Sequence, residues 1–472
     1  MTALHSAPPD APHSATPRPS ACPGLLRIVA ARDGGICRIK LPGGRLDARK
    51  ARAIADAARR HAGGTLELTN RANLQIRGVR ASHEAVLSDA LLRAGLGPEA
   101  AVGSHSETDV ATADDLRNLM LSPAAGRDPD AIFDTTGLIA PLLERLQNEA
   151  RFAALSPKFA LLIDGGERLA ALDHPHDLWL TATRDVPDAQ DVRFAFGLAG
   201  CPPIEGDDRP ASVALATVAP DQAPALVGAL LHAFLDLTAP GDTRMRDVLA
   251  AHTAAAVLER AQRHLGFALP PDPSLAAWRR ARADAALRFG ARPQRASGTW
   301  QVGGQPPLGR LDAATLEALA TLAETAGNAT LRLTPWQGVL LPDVATRAVP
   351  DVLTRLNALG LVCEANAPLA RLVACTGSAG CAKGLADTKA DALRLAARLP
   401  AGVEAHLSGC ARSCAAAHCA PWTLLATAPD RYDLYRRMTD GQDGFGRCLA
   451  RGLPLDEAAD ALARLARSFP DD

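Results

Sequence analysis

A chain of 472 residues, 47% of them apolar and 22% charged, is too long for one ordinary hydrophobic core, so two to four domains are expected and a disordered or fibrous chain is excluded. The formal charge of −1 gives no whole-molecule reason for a nucleic-acid or anionic-membrane partner, and any anion site must be a local pocket. No apolar run of about 18 residues or more occurs, so no membrane span is expected.

In chain order, residues 1–21 are rich in Pro, Ala and Ser and lack the basic start and apolar core of a secretory signal; they read as a disordered tail, and a cytoplasmic location is expected. Residues 22–100 form a first small α/β unit, in which GRLDARKARAIADAARRHAGGTLELT (44–69) reads as a turn, an amphipathic helix and a short alternating strand. Residues 101–240 form a first larger domain, and the Ala/Arg-rich stretch 241–295 a helical connector. Residues 296–364 then repeat the small unit. GRLDAATLEALATLAETAGNATLRLT (309–334) aligns with the first copy at an offset of 265 residues, without a gap and with twelve identities in twenty-six, which marks a duplication. A weaker echo, RNLMLSPAAG (117–126) beside RLVACTGSAG (371–380), extends the repeat into the second larger domain, 365–472. Such repeats pack about a pseudo-two-fold axis and leave a cleft between the copies.

Seven of the ten cysteines (Cys363, Cys375, Cys381, Cys410, Cys414, Cys419 and Cys448) fall in the last 110 residues. That distribution does not suit a disulfide framework for the whole chain, and suggests a metal site or catalysis. Cys375 and Cys381 are separated by five residues in ACTGSAGC, and Cys410 and Cys414 by three in SGCARSC. Free cysteines are commonly buried as small hydrophobes, and zinc favours two to four residues between paired ligands, whereas iron–sulfur clusters accept varied spacings. The tiny residues 376–380 and Gly409 would let a backbone wrap close to a cluster and aim N–H groups at its sulfides.

The pattern C-x5-C followed by C-x3-C resembles the cluster motif of the sirohaem-dependent nitrite and sulfite reductase family. RIKLPGG (38–44), LTNRANLQIRG (68–78), RNLMLSP (117–123) and SPKF (156–159) resemble further landmarks of that family. The resemblance implies an α+β fold in which duplicated ferredoxin-like half-domains are each followed by a larger α/β domain. It implies a 4Fe-4S cluster ligated by Cys375, Cys381, Cys410 and Cys414, with Cys414, as the last of the four, in the place that in this family also bridges to the sirohaem iron. It also implies that Arg38 or Lys40, together with Arg71, Arg117 and Lys158, converge on the cleft. Several separated cations suit a tetrapyrrole with many carboxylates, since each charge-assisted bond contributes roughly 1.5–3 kcal/mol.

The chain departs from the sulfite reductases at Ala160, where they carry a second lysine two residues after the first, and from the family around the second cysteine pair, SGCARSC followed by AAAHCAP. With CPGL (22–25) and GLADTKADA (384–392), these features resemble the precorrin-3B synthases, the oxygen-dependent branch of the superfamily in aerobic cobalamin biosynthesis. The similarity implies an NADH- and dioxygen-dependent monooxygenase that hydroxylates precorrin-3A at C20 and closes a γ-lactone. It implies a mononuclear non-haem iron where a reductase uses sirohaem; sirohaem itself belongs to the alternative, a nitrite or sulfite reductase. No two-His-one-carboxylate set stands out, His406 and His418 near the second cysteine pair read as polar or core residues, and no catalytic residue is assigned. No GxGxxG follows a predicted strand, so electrons are expected from a separate NADH-linked donor.

Overall fold

The computed structural model describes residues 22–98, 107–184, 191–207, 212–270, 272–416, 420–437 and 444–468. The expected tail, 1–21, lies outside these residues, as do His418 and Cys419.

The two repeats fold into a pair of five-stranded antiparallel sheets. The first runs, edge to edge, Val29–Ala31, Gly34–Ile39, Leu74–Val79, Thr65–Leu68 and then Arg310–Asp312, a strand from the second repeat. The second runs Gly290–Pro293, Thr299–Gly304, Val339–Ala345, Thr330–Leu333 and then Arg45–Asp47, a strand from the first. The registers match about the pseudo-two-fold: Arg310 sits opposite Glu67 and Asp312 opposite Thr65, while Arg45 sits opposite Arg332 and Asp47 opposite Thr330.

The shared GRLD sequence explains both exchanges. Its Arg-Leu-Asp is the lent strand, and the Asp ends it by capping the next helix: Asp47 accepts from Lys50 N at 2.8 Å and Asp312 from Thr315 N at 2.7 Å. The helices Ala48–His61 and Ala313–Ala326 face each other through alanines, among them Ala51, Ala55, Ala58, Ala320 and Ala323, and carry the cross-copy ion pairs Arg52–Glu324 and Arg59–Glu317. One continuous apolar core therefore runs through both half-domains.

The larger domains repeat a different topology. In the first, Leu119–Leu121, Leu161–Asp164 and His176–Thr183 are parallel, followed by antiparallel Arg193–Gly200 and Ala216–Val218. In the second, Leu372–Ala374, Ala405–Ser408 and Trp422–Ala428 are parallel, followed by antiparallel Arg431–Arg436 and Arg447–Pro454. Each has its own core. Residues 241–295 are shared between neighbours: Met245–Ala251 and Ala254–Gln262 pack into the core of the first larger domain, and Gly290–Pro293 joins the second antiparallel sheet. Among the described residues no helix is long and apolar enough to cross a membrane.

Candidate functional site

The cysteine pairs follow the carboxyl ends of adjacent parallel strands, the usual place for a site in such a sheet. Cys375 follows Leu372–Ala374, and Cys410 follows Ala405–Ser408 after one glycine. Ala374 and Leu407 are register partners, so both loops start side by side. The Gly409 N–H points at Cys375 Sγ at 3.2 Å, the N–H···S contact that iron–sulfur ligands make. Cys414 is exposed, yet the surrounding protein and then three neighbouring thiols, Cys410, Cys375 and Cys381, push its pKa up. The four thiols thus lie near enough for the other three to act electrostatically on Cys414. Among the described residues no three His, Cys, Asp or Glu side chains converge closely enough for a single metal ion.

The small residues have a second role. A Cβ on Gly377, whose φ is +67°, would lie 2.5 Å from Thr388 N, and one on Gly384 2.6 Å from Ser378 N. The loops are packed backbone against backbone, tied by Ser378 N to Ala386 O (2.7 Å) and Leu385 N to Gly409 O (2.9 Å). The first half-domain clamps the same loop. Arg77, paired with Asp33, donates to Gly380 O at 3.0 Å, and Arg32 to Ser378 O at 2.9 Å.

Beside the thiols lies a narrow pocket lined by Arg71, Asn73, Arg117, Asn118, Ala160 and His176. The turn 69–73 joins it to the cysteines: the Asn70 amide donates to Cys414 O (3.4 Å) and Arg71 to Lys158 O (3.1 Å). Arg71's pKa is lowered to about 10 by burial and then by Arg244. Arg38 lies between this pocket and the cluster loop. Burial lowers its pKa, and Cys22 and Cys414 oppose that. With the Gln75 carboxamide turned to satisfy both groups, its oxygen accepts from Arg38 at 2.8 and 3.2 Å.

Arg38, Arg71 and Arg117 are thus brought to one region, with Lys158 exposed at its margin. Arg117 is partly committed already, donating to Leu96 O at 2.8 Å and Asp114 at 3.1 Å. Lys40 departs from the expectation of a cleft cation. It is 2% exposed, and its ammonium donates to Asp115 O at 2.6 Å and pairs with the Asp115 carboxylate at 3.5 Å. Burial lowers its pKa to about 8, and the ion pair makes it an internal strut. His406 is buried in its strand. Cys37 and Cys363 are buried in the shared core, and burial raises both thiols.

Sequence reasoning missed two contributors. His176 opens a buried strand and lines the pocket; burial and then Arg71 hold its pKa well below the ordinary value, which favours the neutral imidazole, and its Nδ1 has no hydrogen-bond partner among the described residues. Asp177 accepts from Arg244 Nε (2.9 Å), Ala160 N (2.9 Å) and Met245 N (2.9 Å), which fixes the backbone at Ala160 beside the pocket. The polar pair HD at the head of an apolar strand was the available signal. At the pseudo-symmetric position Arg71 is replaced by Trp336, which packs against Leu169, Leu287 and Leu340, so the equivalent spot is filled with apolar side chains.

Comparison with known proteins agrees with this architecture. The model of the nitrite/sulfite reductase ferredoxin-like half domain matches residues 30–94 and 292–359, and that of the nitrite and sulphite reductase 4Fe-4S domain matches 112–269. The latter is the copy without the cysteine set. A chloroplastic ferredoxin–nitrite reductase of Zea mays is 30% identical over 403 residues, covering 80% of this chain and 67% of its own. A precorrin-3B synthase of a Sinorhizobium species is 28% identical over 473 residues, covering 97% and 90%. The chain spans about two thirds of the length of the plant reductases it matches. The Mycobacterium tuberculosis NirA protein shares the fold, with a TM-score of 0.74 at 22% identity over 92% of this chain and 80% of that one. With both half-domains and a larger domain matched in sequence and the whole duplicated architecture matched in space, the chain belongs to the nitrite/sulfite reductase family of iron–sulfur oxidoreductases.

Proposed function

We propose that the chain is a precorrin-3B synthase, an oxygen-dependent member of this family that hydroxylates precorrin-3A at C20 and closes the γ-lactone. The reductases and the synthase match at comparable identity, so the choice rests on the pocket. The observation that carries it is Ala160. It lines the pocket at the position where the sulfite reductase pattern calls for a second lysine, and burial and Arg71 hold the neighbouring His176 away from its charged form. Binding a sulfite or nitrite anion would forgo about 1–3 kcal/mol, roughly five- to a hundredfold. Neutral dioxygen has no such requirement. The near full-length match to a precorrin-3B synthase supports the same reading.

On this reading Cys375, Cys381, Cys410 and Cys414 hold a 4Fe-4S cluster, which supplies electrons one at a time. The pocket is narrow, with room for little more than a water-sized group among Arg71, Asn118, Ala160 and His176. The acidic tetrapyrrole therefore lies across the pocket mouth. There Arg38, Arg71 and Lys158 receive its carboxylates and orient the reacting carbon, and His176 Nδ1 offers a neutral hydrogen-bonding group inside. A mononuclear iron is assigned no ligands, since the described residues offer no converged set of three. Electrons come from NADH through a separate protein.

Anaerobic purification with the cluster intact tests the proposal. Iron and sulfide should be present without sirohaem, precorrin-3A should drive dioxygen consumption with formation of the lactone, and sulfite and nitrite should turn over negligibly. Stoichiometric sirohaem together with sulfite or nitrite turnover would establish a reductase instead.

A further inference from the structure

The two repeats differ at one matched position that the strand exchange makes structurally equivalent. TLELT carries Glu67 where TLRLT carries Arg332, each opposite the arginine of the other copy's GRLD. On the cysteine-free side the result is two arginines. On the cysteine side it is a buried carboxylate, 7% exposed, that reaches from the first half-domain into the loop between Cys375 and Cys381.

Its two oxygens are used differently. Glu67 Oε2 accepts from Thr376 Oγ1 at 2.8 Å, and Oε1 accepts from Arg310 at 2.7 and 3.1 Å. Arg77 stands 3.6 Å and the Lys389 ammonium 3.9 Å from the carboxylate. Lys389 in turn donates to Ala374 O at 3.2 Å and Leu308 O at 2.6 Å. The residues on either side of Cys375 are therefore gripped by opposite members of one buried ion pair, 374 by the lysine and 376 by the glutamate. A glutamine could hold Thr376 equally well. The charge is what a neutral group would not supply.

We propose that Glu67 is a positioning residue for the cluster that also sets its reduction potential, holding the Cys375 loop through Thr376 while its negative charge disfavours arrival of an electron. The physical step is simple: one-electron reduction makes the cluster more negative, and cluster potentials respond to nearby net charge and to hydrogen bonds around the sulfurs. Counting Glu67, Asp33, Arg77, Arg310 and Lys389, the local fixed charge is +1, from three cations and two carboxylates. Removing the Glu67 charge makes it +2 and eases reduction. Arg332 at the mate position has no comparable task, because the facing loop, SPAAG, carries no cysteine.

The inference rests on the assignment of the four cysteines as cluster ligands, and potentiometric titration followed by the electron paramagnetic resonance of the reduced cluster separates the two. Wild-type protein without a reducible cluster would fail the assignment itself. With the cluster present, Glu67→Gln should raise the midpoint potential, Glu67→Asp should return it toward wild type, and Lys389→Gln should lower it. Thr376→Val, which keeps the charge, should speed cluster loss to a chelator with a smaller shift in potential. An unmoved potential in Glu67→Gln, or, where that variant does not load, in Lys389→Gln, overturns the proposal.

Discussion

Replacing Gly377 by alanine tests why the loop between the first cysteine pair contains only tiny residues. Gly377 has φ +67°, and its added Cβ would stand 2.5 Å from Thr388 N, 2.6 Å from Ala386 O and 2.7 Å from Thr388 Oγ1. Two of those three atoms are backbone, so no side chain can swing aside, and Thr388 Oγ1 itself donates to Cys375 O at 2.8 Å. Left-handed backbone costs an L-residue about 1–2 kcal/mol, and overpacking about 1–3 kcal/mol more. Gly402, in the same domain, isolates the first cost: its φ is +77° and nothing lies within 4 Å of its Cβ position. Gly377→Ala should therefore be worse than Gly402→Ala by about 1–3 kcal/mol, roughly five- to a hundredfold. Iron and sulfide per chain, and the rate of cluster loss to a chelator after anaerobic purification, measure the difference. Equal loading and equal loss rates in the two variants would refute the packing argument.

Three other outcomes follow from the site. Serine at Cys375, Cys381, Cys410 or Cys414 should each remove most of the cluster absorbance, whereas Cys37→Ala and Cys201→Ala should not; retention in two of the four serine variants would overturn the ligand assignment. Arg71→Ala should weaken binding of a tetracarboxylated or more acidic tetrapyrrole by about 1.5–3 kcal/mol, tenfold or more, with little change in thermal stability. Arg117→Ala should also lower stability, because Leu96 O and Asp114 lose their donor, and calorimetry beside a binding titration separates the two. Lys40, with its pKa lowered by burial to about 8, binds its proton less tightly folded than unfolded. The cost of burying its charge is thus full below about pH 8 and relieved as pH rises toward the ordinary lysine value. Denaturant midpoints of wild type relative to Lys40→Met should climb across that window by up to about 3 kcal/mol, and a flat difference would show that the strut carries no such cost.

The duplication was legible because the repeated GRLD and T-L-x-L-T segments are short, ungapped and periodic, and the cysteine pairs because their spacing carries chemistry. What those segments do to each other was not legible. Nothing local in Arg45-Leu46-Asp47 says that it pairs with the other copy, since strand pairing is set by partners far along the chain. The same limit explains Lys40. Alternation places Arg38 and Lys40 on one face of a strand, but only the tertiary position of Asp115 decides that the lysine turns inward. Ala160 was readable as a missing cation, whereas the neutrality of His176 comes from burial and from Arg71, which the sequence does not show.

The reciprocal loan of edge strands also bears on how the chain is made. Thr65–Leu68 cannot acquire its outer neighbour until Arg310–Asp312 has left the ribosome, some 242 residues later. At roughly 5–20 residues per second that is about 10–50 s during which a finished strand shows unpaired N–H and C=O groups to any passing chain. The lateness of closure leaves the first half's edge open through that interval, and each copy serves as the other's edge protection. Gene duplication has produced here not two modules but one closed object, and neither half can be excised without reopening the seam.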